Sequence, residues 1–351
     1  MMAPLKVEWD GGVSVSYGGT TVIFDPQKSI RSPSKVFVTH AHLDHAGASS
    51  RLNSEKYSTK ETIDLLEAYR RRTGWWRPIS YRETVKVGDL EVKAHNAGHV
   101  LGSSLYEVIS PEGTVVYTGD FQFRDTFTLE AAEAVPCDIL VLEATFGSPS
   151  FIFPEREKVA SEMVRWALDL LRRGKTPMFR ADSLGNAQEI IKAFNMLTEV
   201  PVIVHPSIAK ISKVYRTYGC RLEFLSLNSE IVDEALSSSD GVLVVPKNVK
   251  FGDPSRFETA LVSGWALWFR GRGGASFALS DHADFQQLME FVESCKPRVV
   301  LTCFSERFEK TLAAHIARKF RIEARPLKLI RNEIYVNSRP SYLKEAGHKA
   351  R

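Results

Sequence analysis

The chain has 351 residues, 44% of them hydrophobic and 25% charged, with a net charge of +4 at neutral pH. That length predicts two domains, or one large domain carrying an insertion, and the composition excludes a disordered or low-complexity chain. The mild basicity permits a polyanionic partner without demanding one. In chain order, Val13 to Tyr17 and Thr21 to Phe24 flank Gly18-Gly19, which predicts a hairpin. Lys35 to Thr39 is a compact apolar strand that runs directly into His40-Ala41-His42-Leu43-Asp44-His45. Ser58 to Arg72 has helical spacing and opens on a capping-box pattern, Ser58-Thr59-Lys60-Glu61. Glu83 to Ala94, Ser103 to Ile109, Thr114 to Thr118 and Ile139 to Leu142 read as strands.

The character changes near residue 150. Glu155 to Arg173 is amphipathic, introduced by Pro154 and stopped by Gly174, and predicts a long helix. Strands at Thr176 to Arg180, Val200 to His205 and Gly241 to Pro246 alternate with helices at Asn186 to Leu197 and Ile208 to Tyr218, a pattern that predicts an α/β layer with a parallel sheet. A glycine-rich exit (Gly271 to Gly274) leads to a helix at Asp284 to Cys295, a strand at Val299 to Thr302, a helix over Glu306 to Arg318 and a basic tail. Cys137, Cys220, Cys295 and Cys303 form no C-x-x-C pair, so buried thiols are expected rather than disulfides or a thiolate metal site. The first residues lack the apolar stretch of a signal peptide and no run of 18 apolar residues occurs; the cytoplasm is the expected compartment and no membrane contact is expected.

Imidazoles and carboxylates are the usual ligands of zinc-class hydrolytic metals. Four such groups, His40, His42, Asp44 and His45, fall within six residues directly after a strand, and this chain has only nine histidines. His99, in the glycine-flanked turn Gly98-His99-Val100-Leu101-Gly102, and Asp120, at the strand end Tyr117-Thr118-Gly119-Asp120, add candidates for a second ion. His282, in Ser280-Asp281-His282-Ala283-Asp284, is a further one. His95, His205, His315 and His348 have no such company and read as structural.

The H-x-H-x-D-H cluster, the Gly-His turn and the Tyr-Thr-Gly-Asp strand end resemble the metallo-β-lactamase superfamily. The resemblance implies its αββα sandwich and two divalent ions, with Zn2+ favoured and Mn2+ or Mg2+ as alternatives. One ion would be held by His40, His42 and His99, the other by Asp44 and His45, with Asp120 bridging. Asp25, in Val22-Ile23-Phe24-Asp25-Pro26, matches the aspartate that orients ligands in that superfamily. Leu142-Glu143-Ala144-Thr145-Phe146-Gly147 is similar to motif A of the β-CASP nucleases, and Ser280 to Asp284 to their motif B. Gly185 to Ile190 resembles the helix start of their inserted cap, and Val262-Ser263-Gly264-Trp265 the strand that leaves it.

The resemblance therefore implies a sandwich interrupted by an α/β β-CASP cap, with 1–150 as the first part of the sandwich domain, 151–270 as the insertion, 271–338 as its return and 339–351 as a tail. It implies a nuclease whose metals activate water and clamp a phosphodiester. Asp44 or Asp120 would orient the water, and Glu143 would hold His282 or Asp281. His282 would bind metal or protonate the leaving oxygen, with Asp281 in support. Nucleic acid is the expected partner, contacted by Ser183 and Gly185 before a helix and by Arg180 and Lys247 at cap strand ends. The cation-aromatic run Arg70 to Arg77 suits a nucleic-acid contact or a helix end anchored by tryptophan. The RNA-acting group carries a histidine at motif C, whereas Val299 to Glu306 offers Cys303 or Phe304. Motifs A and B are similar to those of the DNA ligase-associated exonucleases. DNA is thus favoured over RNA, and a DNA exonuclease of repair or processing, with DNA-processing enzymes as partners, is the leading expectation. An RNA-processing ribonuclease, then a lactonase or thioesterase, are the alternatives.

Overall fold

A computed structural model describes residues 5–28, 35–49, 54–71, 73–227, 240–249, 257–269 and 274–329. The chain opens with six strands: β1 (Lys6–Trp9), β2 (Val13–Tyr17), β3 (Thr20–Phe24), β4 (Lys35–Phe37), β5 (Lys56–Ser58) and β6 (Trp76–Pro78). They pair in sequence order, antiparallel through β3 and parallel thereafter. A second sheet begins with β7 (Thr84–Val87), β8 (Leu90–Asn96), β9 (Ser104–Ser110), β10 (Gly113–Tyr117) and β11 (Ile139–Glu143). After a helix at Arg156–Arg172 the chain builds an all-parallel third sheet from β12 (Thr176–Ala181), β13 (Val202–Val204), β14 (Leu225–Ser226), β15 (Val242–Pro246), β16 (Phe257–Val262) and β17 (Ala275–Phe277). It then returns to the second sheet with β18 (Val299–Cys303) and β19 (Glu323–Pro326), parallel to β11. This is the expected αββα sandwich interrupted by an α/β lobe.

Period-two alternation decides which face each strand buries. Phe24, Phe37 and Tyr57 from the first sheet meet Tyr106, Tyr117, Val141 and Leu301 from the second in one core between the sheets. The alternate residues of the second sheet, Val116, Leu140, Leu142 and Val300, pack outward on Leu288, Phe291 and Val292 of the helix Phe285–Cys295 and on Leu312 and Ile316 of the helix Glu309–Phe320. On the far side of the first sheet, Val36 and Val38 pack with Ile63, Leu65 and Leu66 of the helix Lys60–Ala68. That core continues without a break into the third sheet and its helices through Phe179, Ile190, Phe194 and Tyr215. The inserted lobe is therefore fastened to the sandwich by shared apolar packing.

Several boundaries differ from the sequence expectation. Glu83 to Ala94 is two antiparallel strands, folded at Gly88 with φ +56. The helix expected from Ser58 starts at Lys60, because Ser58 is in β5, where its hydroxyl donates to the Val38 carbonyl, and Thr59 caps the helix through the Thr62 amide. The helix expected from Glu306 starts at Glu309, after Phe304 turns the chain with φ +63. The tail 339–351 and the exit loop 271–273 lie outside the described residues.

The parallel register brings the carboxyl ends of β10, β11 and β18 to one rim, with Glu143 level with Cys303. Asp25, directly after β3, ties that rim together. Its fully buried carboxylate accepts from the Thr39 amide at 2.8 Å, the Thr39 hydroxyl at 2.6 Å, the Tyr117 hydroxyl at 2.8 Å and His45 Nδ1 at 2.8 Å. Removing one acceptor would strand four buried donors, each costing about 1–3 kcal/mol. Asp25→Ala in metal-free protein should therefore lose at least about 3 kcal/mol in a urea titration; a loss below about 1 kcal/mol would show that these bonds are not what holds the rim.

Candidate metal centre

Strand ends deliver most members of the centre. His40 follows β4, His99 follows β8, Asp120 follows β10, Glu143 ends β11 and His282 follows β17. His45 lies in the short helix Leu43–Ala46. Asp120 Oδ2 is the focus: His45 Nε2 is 3.3 Å from it, His40 Nε2 3.6 Å, His99 Nε2 3.9 Å and His282 Nε2 4.0 Å. Ligand atoms of His40, His42, His99 and Asp120 all lie within 4.8 Å of one another, as do those of Asp120, Glu143 and His282.

What lies behind each ring fixes which nitrogen faces inward. His99 Nδ1 donates to the Asp281 carbonyl at 2.9 Å, and His42 Nε2 to the Leu184 carbonyl at 3.3 Å. His45 Nδ1 donates to Asp25, and His282 Nδ1 to Glu143 at 3.1 Å. The Thr39 hydroxyl donates to Asp25, so it accepts from His40 Nδ1 at 2.9 Å. In a neutral ring each donation leaves the opposite nitrogen with a lone pair. His40 Nε2 is buried with no hydrogen-bond partner, and His99 Nε2 stands 3.1 Å from His42 Nδ1. Two lone pairs facing at that distance repel, unless a proton or a metal ion lies between them. Tetrahedral zinc, with bonds of about 2.0–2.1 Å, sets its ligands about 3.3 Å apart. The donor set therefore fits divalent metal. Glu143 is itself held by the Phe121 amide at 2.9 Å.

The field at the centre favours positive charge. Burial opposes the charge on Asp120, but His45 and His282 outweigh it and hold the carboxyl well below the usual carboxylate range. Burial also opposes a charged His282, yet Glu143 and Asp120 carry its pKa up to about 10. His45 is raised well above the ordinary value, because Asp120 and Asp25 overcome its burial. His40 and His99 go the other way, driven down by burial and by neighbouring imidazoles.

The centre opens into a cleft of about 470 Å³, lined by His42, Asp44, His45, Asp120 and His282 together with Tyr69, Thr145, Asp182, Ser183, Leu184 and Phe304. Asp44 is exposed there and outside the tight ligand groups. Phe304 stacks on His45, ring centroids 4.7 Å apart, while Cys303 is fully buried in the core with its thiol pushed up by burial. The carbonyl of Leu184 is a contact that sequence patterning missed, and no motif signals it, whereas Phe304 is the one of the two motif C candidates that reaches the cleft.

Of the four residues expected to touch nucleic acid, Ser183 lines the cleft. The other three have partners of their own. The Gly185 amide donates to Gln188 Oε1 at 2.8 Å and is spent inside its own lobe. Arg180 donates to the carbonyls of Val249, at 2.7 Å, and Lys247, at 3.1 Å. Lys247 Nζ pairs with Asp182 at 2.5 Å, and neither cation lines the cleft. In the run Arg70 to Arg77, Trp76 is in the core while Trp75 is 66% exposed, and Arg72 lies outside the described residues.

Residues 9–175 match the profile of the metallo-β-lactamase superfamily. Over 291 residues the chain is 29% identical to a probable DNA ligase from Opitutus terrae, covering 79% of this chain and 27% of that protein. It is 25% identical over 431 residues to the transcription termination factor FttA of Methanothermobacter thermautotrophicus, covering 92% and 67%. It is 30% identical over 217 residues to RNase aCSPSF2 of Saccharolobus solfataricus, covering 52% and 43%. The chain thus spans from 27% to 67% of the length of these relatives. A crystal structure of a protein of unknown function from Enterococcus faecalis V583 shares the fold, with a TM-score of 0.62 at 14% identity over 86% of this chain and 94% of that one. Residues 9–175 belong to the metallo-β-lactamase superfamily, and the lobe set between the Glu143 strand and the His282 turn stands where the β-CASP resemblance places its inserted cap.

Proposed function

We propose that this protein is a nuclease that hydrolyses phosphodiester bonds with two divalent cations, zinc for preference, flanking Asp120. The observation that carries the reading is the set of five inward-facing ring nitrogens, each fixed from behind by a hydrogen bond, around one buried carboxylate oxygen. His40, His42 and His99 would hold one cation, His45 and His282 the other, with Asp120 between them. When bound, the cations supply a water of lowered pKa and a clamp for the scissile phosphate. Asp44, exposed in the cleft, suits the role of orienting that water and accepting its proton. Asp25 and Glu143 keep His45 and His282 in the tautomer that faces inward.

DNA is the substrate we favour. Phe304 gives the cleft wall beside His45 an aromatic face suited to stacking on a base, where the RNA-acting group carries a histidine. The match inside a protein named as a DNA ligase supports the same choice. The relative named as an RNase favours RNA instead. A role in DNA repair or processing follows from the first choice.

Two outcomes are expected. Chelator-stripped protein should not cleave end-labelled DNA, and added Zn2+ or Mn2+ should restore cleavage. Asp120→Ala should lose more than about a hundredfold in rate, since even outer partners of metal ligands cost about 10–100-fold. Cleavage by metal-free protein, or an unaltered rate in Asp120→Ala, would overturn the reading. Matched single-stranded DNA and RNA, assayed side by side, should show faster loss of the DNA; faster loss of the RNA would reverse the substrate choice alone.

A further inference from the structure

The inserted lobe reaches into the metal centre. The Leu184 carbonyl accepts from His42 Nε2, and the Tyr215 hydroxyl accepts from the Leu101 amide at 3.1 Å, two residues past His99. The turn Ser183-Leu184-Gly185 is held in turn by Gln188. Its Oε1 accepts from the Gly185 amide at 2.8 Å, and its Nε2 donates to the Ser183 carbonyl at 3.1 Å and the Ser212 hydroxyl at 3.0 Å. Gln188 is fully buried. Gly185 has φ +91, a conformation open to glycine, and a Cβ there would overlap the Asp281 carboxylate and stand 3.0 Å from Val100 Cγ1. Asp281 and Val100 are themselves tied to the centre, one through its carbonyl on His99 and the other as the next residue after His99.

We propose that Gly185 and Gln188 are positioning residues of the metal centre: together they hold the Leu184 carbonyl against His42 Nε2, so that His42 offers Nδ1 to a cation. The inference rests on the metal reading above. It makes docking of the inserted lobe and binding of the cation reciprocal. A ligand ring bonded both to the ion and to the lobe stabilises each through the other. It also explains why an unpaired ligand set on the sandwich needs a segment about 140 residues further along the chain (His42 to Leu184, a separation of 142) to complete its orientation.

The test is a zinc titration against a chromophoric chelator, on metal-stripped wild-type protein, Gly185→Ala and Gln188→Ala, each first checked for a cooperative melt. Wild type should bind zinc, and both variants should bind it about 10–100-fold more weakly, the range seen when partners behind a ligand are lost. Nitrogen-15 spectra of the wild-type histidines should show His42 protonated at Nε2, with and without zinc. Variants that fold and bind zinc as wild type does would overturn the proposal, as would a His42 proton on Nδ1. Should Gly185→Ala fail to fold, Gln188→Ala and the His42 spectrum decide the matter. A wild type that binds no zinc would remove the metal reading itself, and this inference with it.

Discussion

A single buried carboxylate oxygen, Asp120 Oδ2, faces four imidazole nitrogens at 3.3 to 4.0 Å, and the rest of the structure is arranged around that requirement. Nitrogen lone pairs and a carboxylate repel one another at such distances in a medium of low dielectric. Positive charge alone makes the arrangement favourable, whether carried by protons or by metal ions. Each ring also needs a partner behind it, or it could rotate and present its N–H instead. Asp25, Thr39, Glu143 and the carbonyls of Asp281 and Leu184 are those partners, and all of them sit at strand ends or turns on one rim.

The fold explains how so many polar groups can be brought to one place. Parallel pairing of β10, β11 and β18 aligns their carboxyl ends, so residues far apart in sequence emerge side by side. The core between the sheets stops at this rim, where Phe24, Tyr106 and Tyr117 close it beneath Asp25. Tyr117 serves both sides: its ring is in the apolar core and its hydroxyl bonds Asp25. The inserted lobe shares a continuous apolar core with the helix layer of the first sheet, and it forms part of the wall of the same cleft.

Much of the centre was legible in the sequence, because ligand chemistry is local at its start. Four ligand-type residues in six, directly after a strand, have few other uses, and His99, Asp120 and His282 each sit in a short turn where a side chain is free to point inward. The alternation of strands and helices after residue 150 announced the inserted lobe. The misses have a common cause in contacts made across the fold. Nothing near Leu184 in sequence signals that its carbonyl meets His42. Phe304 could not be told from Cys303 until the strand register buried one and turned the other into the cleft with a positive φ. Arg180 and Lys247 end strands as expected, and the carbonyls and the Asp182 carboxylate that hold them come from neighbouring segments. The hairpin at Gly88 was read as one strand because both arms alternate and the turn is only a glycine and an aspartate.

The most direct test of the central claim is anomalous X-ray scattering from crystals of the protein grown with zinc, recorded on both sides of the zinc absorption edge. The account predicts two peaks, one among His40, His42 and His99 and one among His45 and His282, with the Asp120 carboxylate between them and each peak at about 2 Å from its nitrogens. Crystals of zinc-treated protein that show no peak beside Asp120, with the five rings in the same orientation, would contradict it.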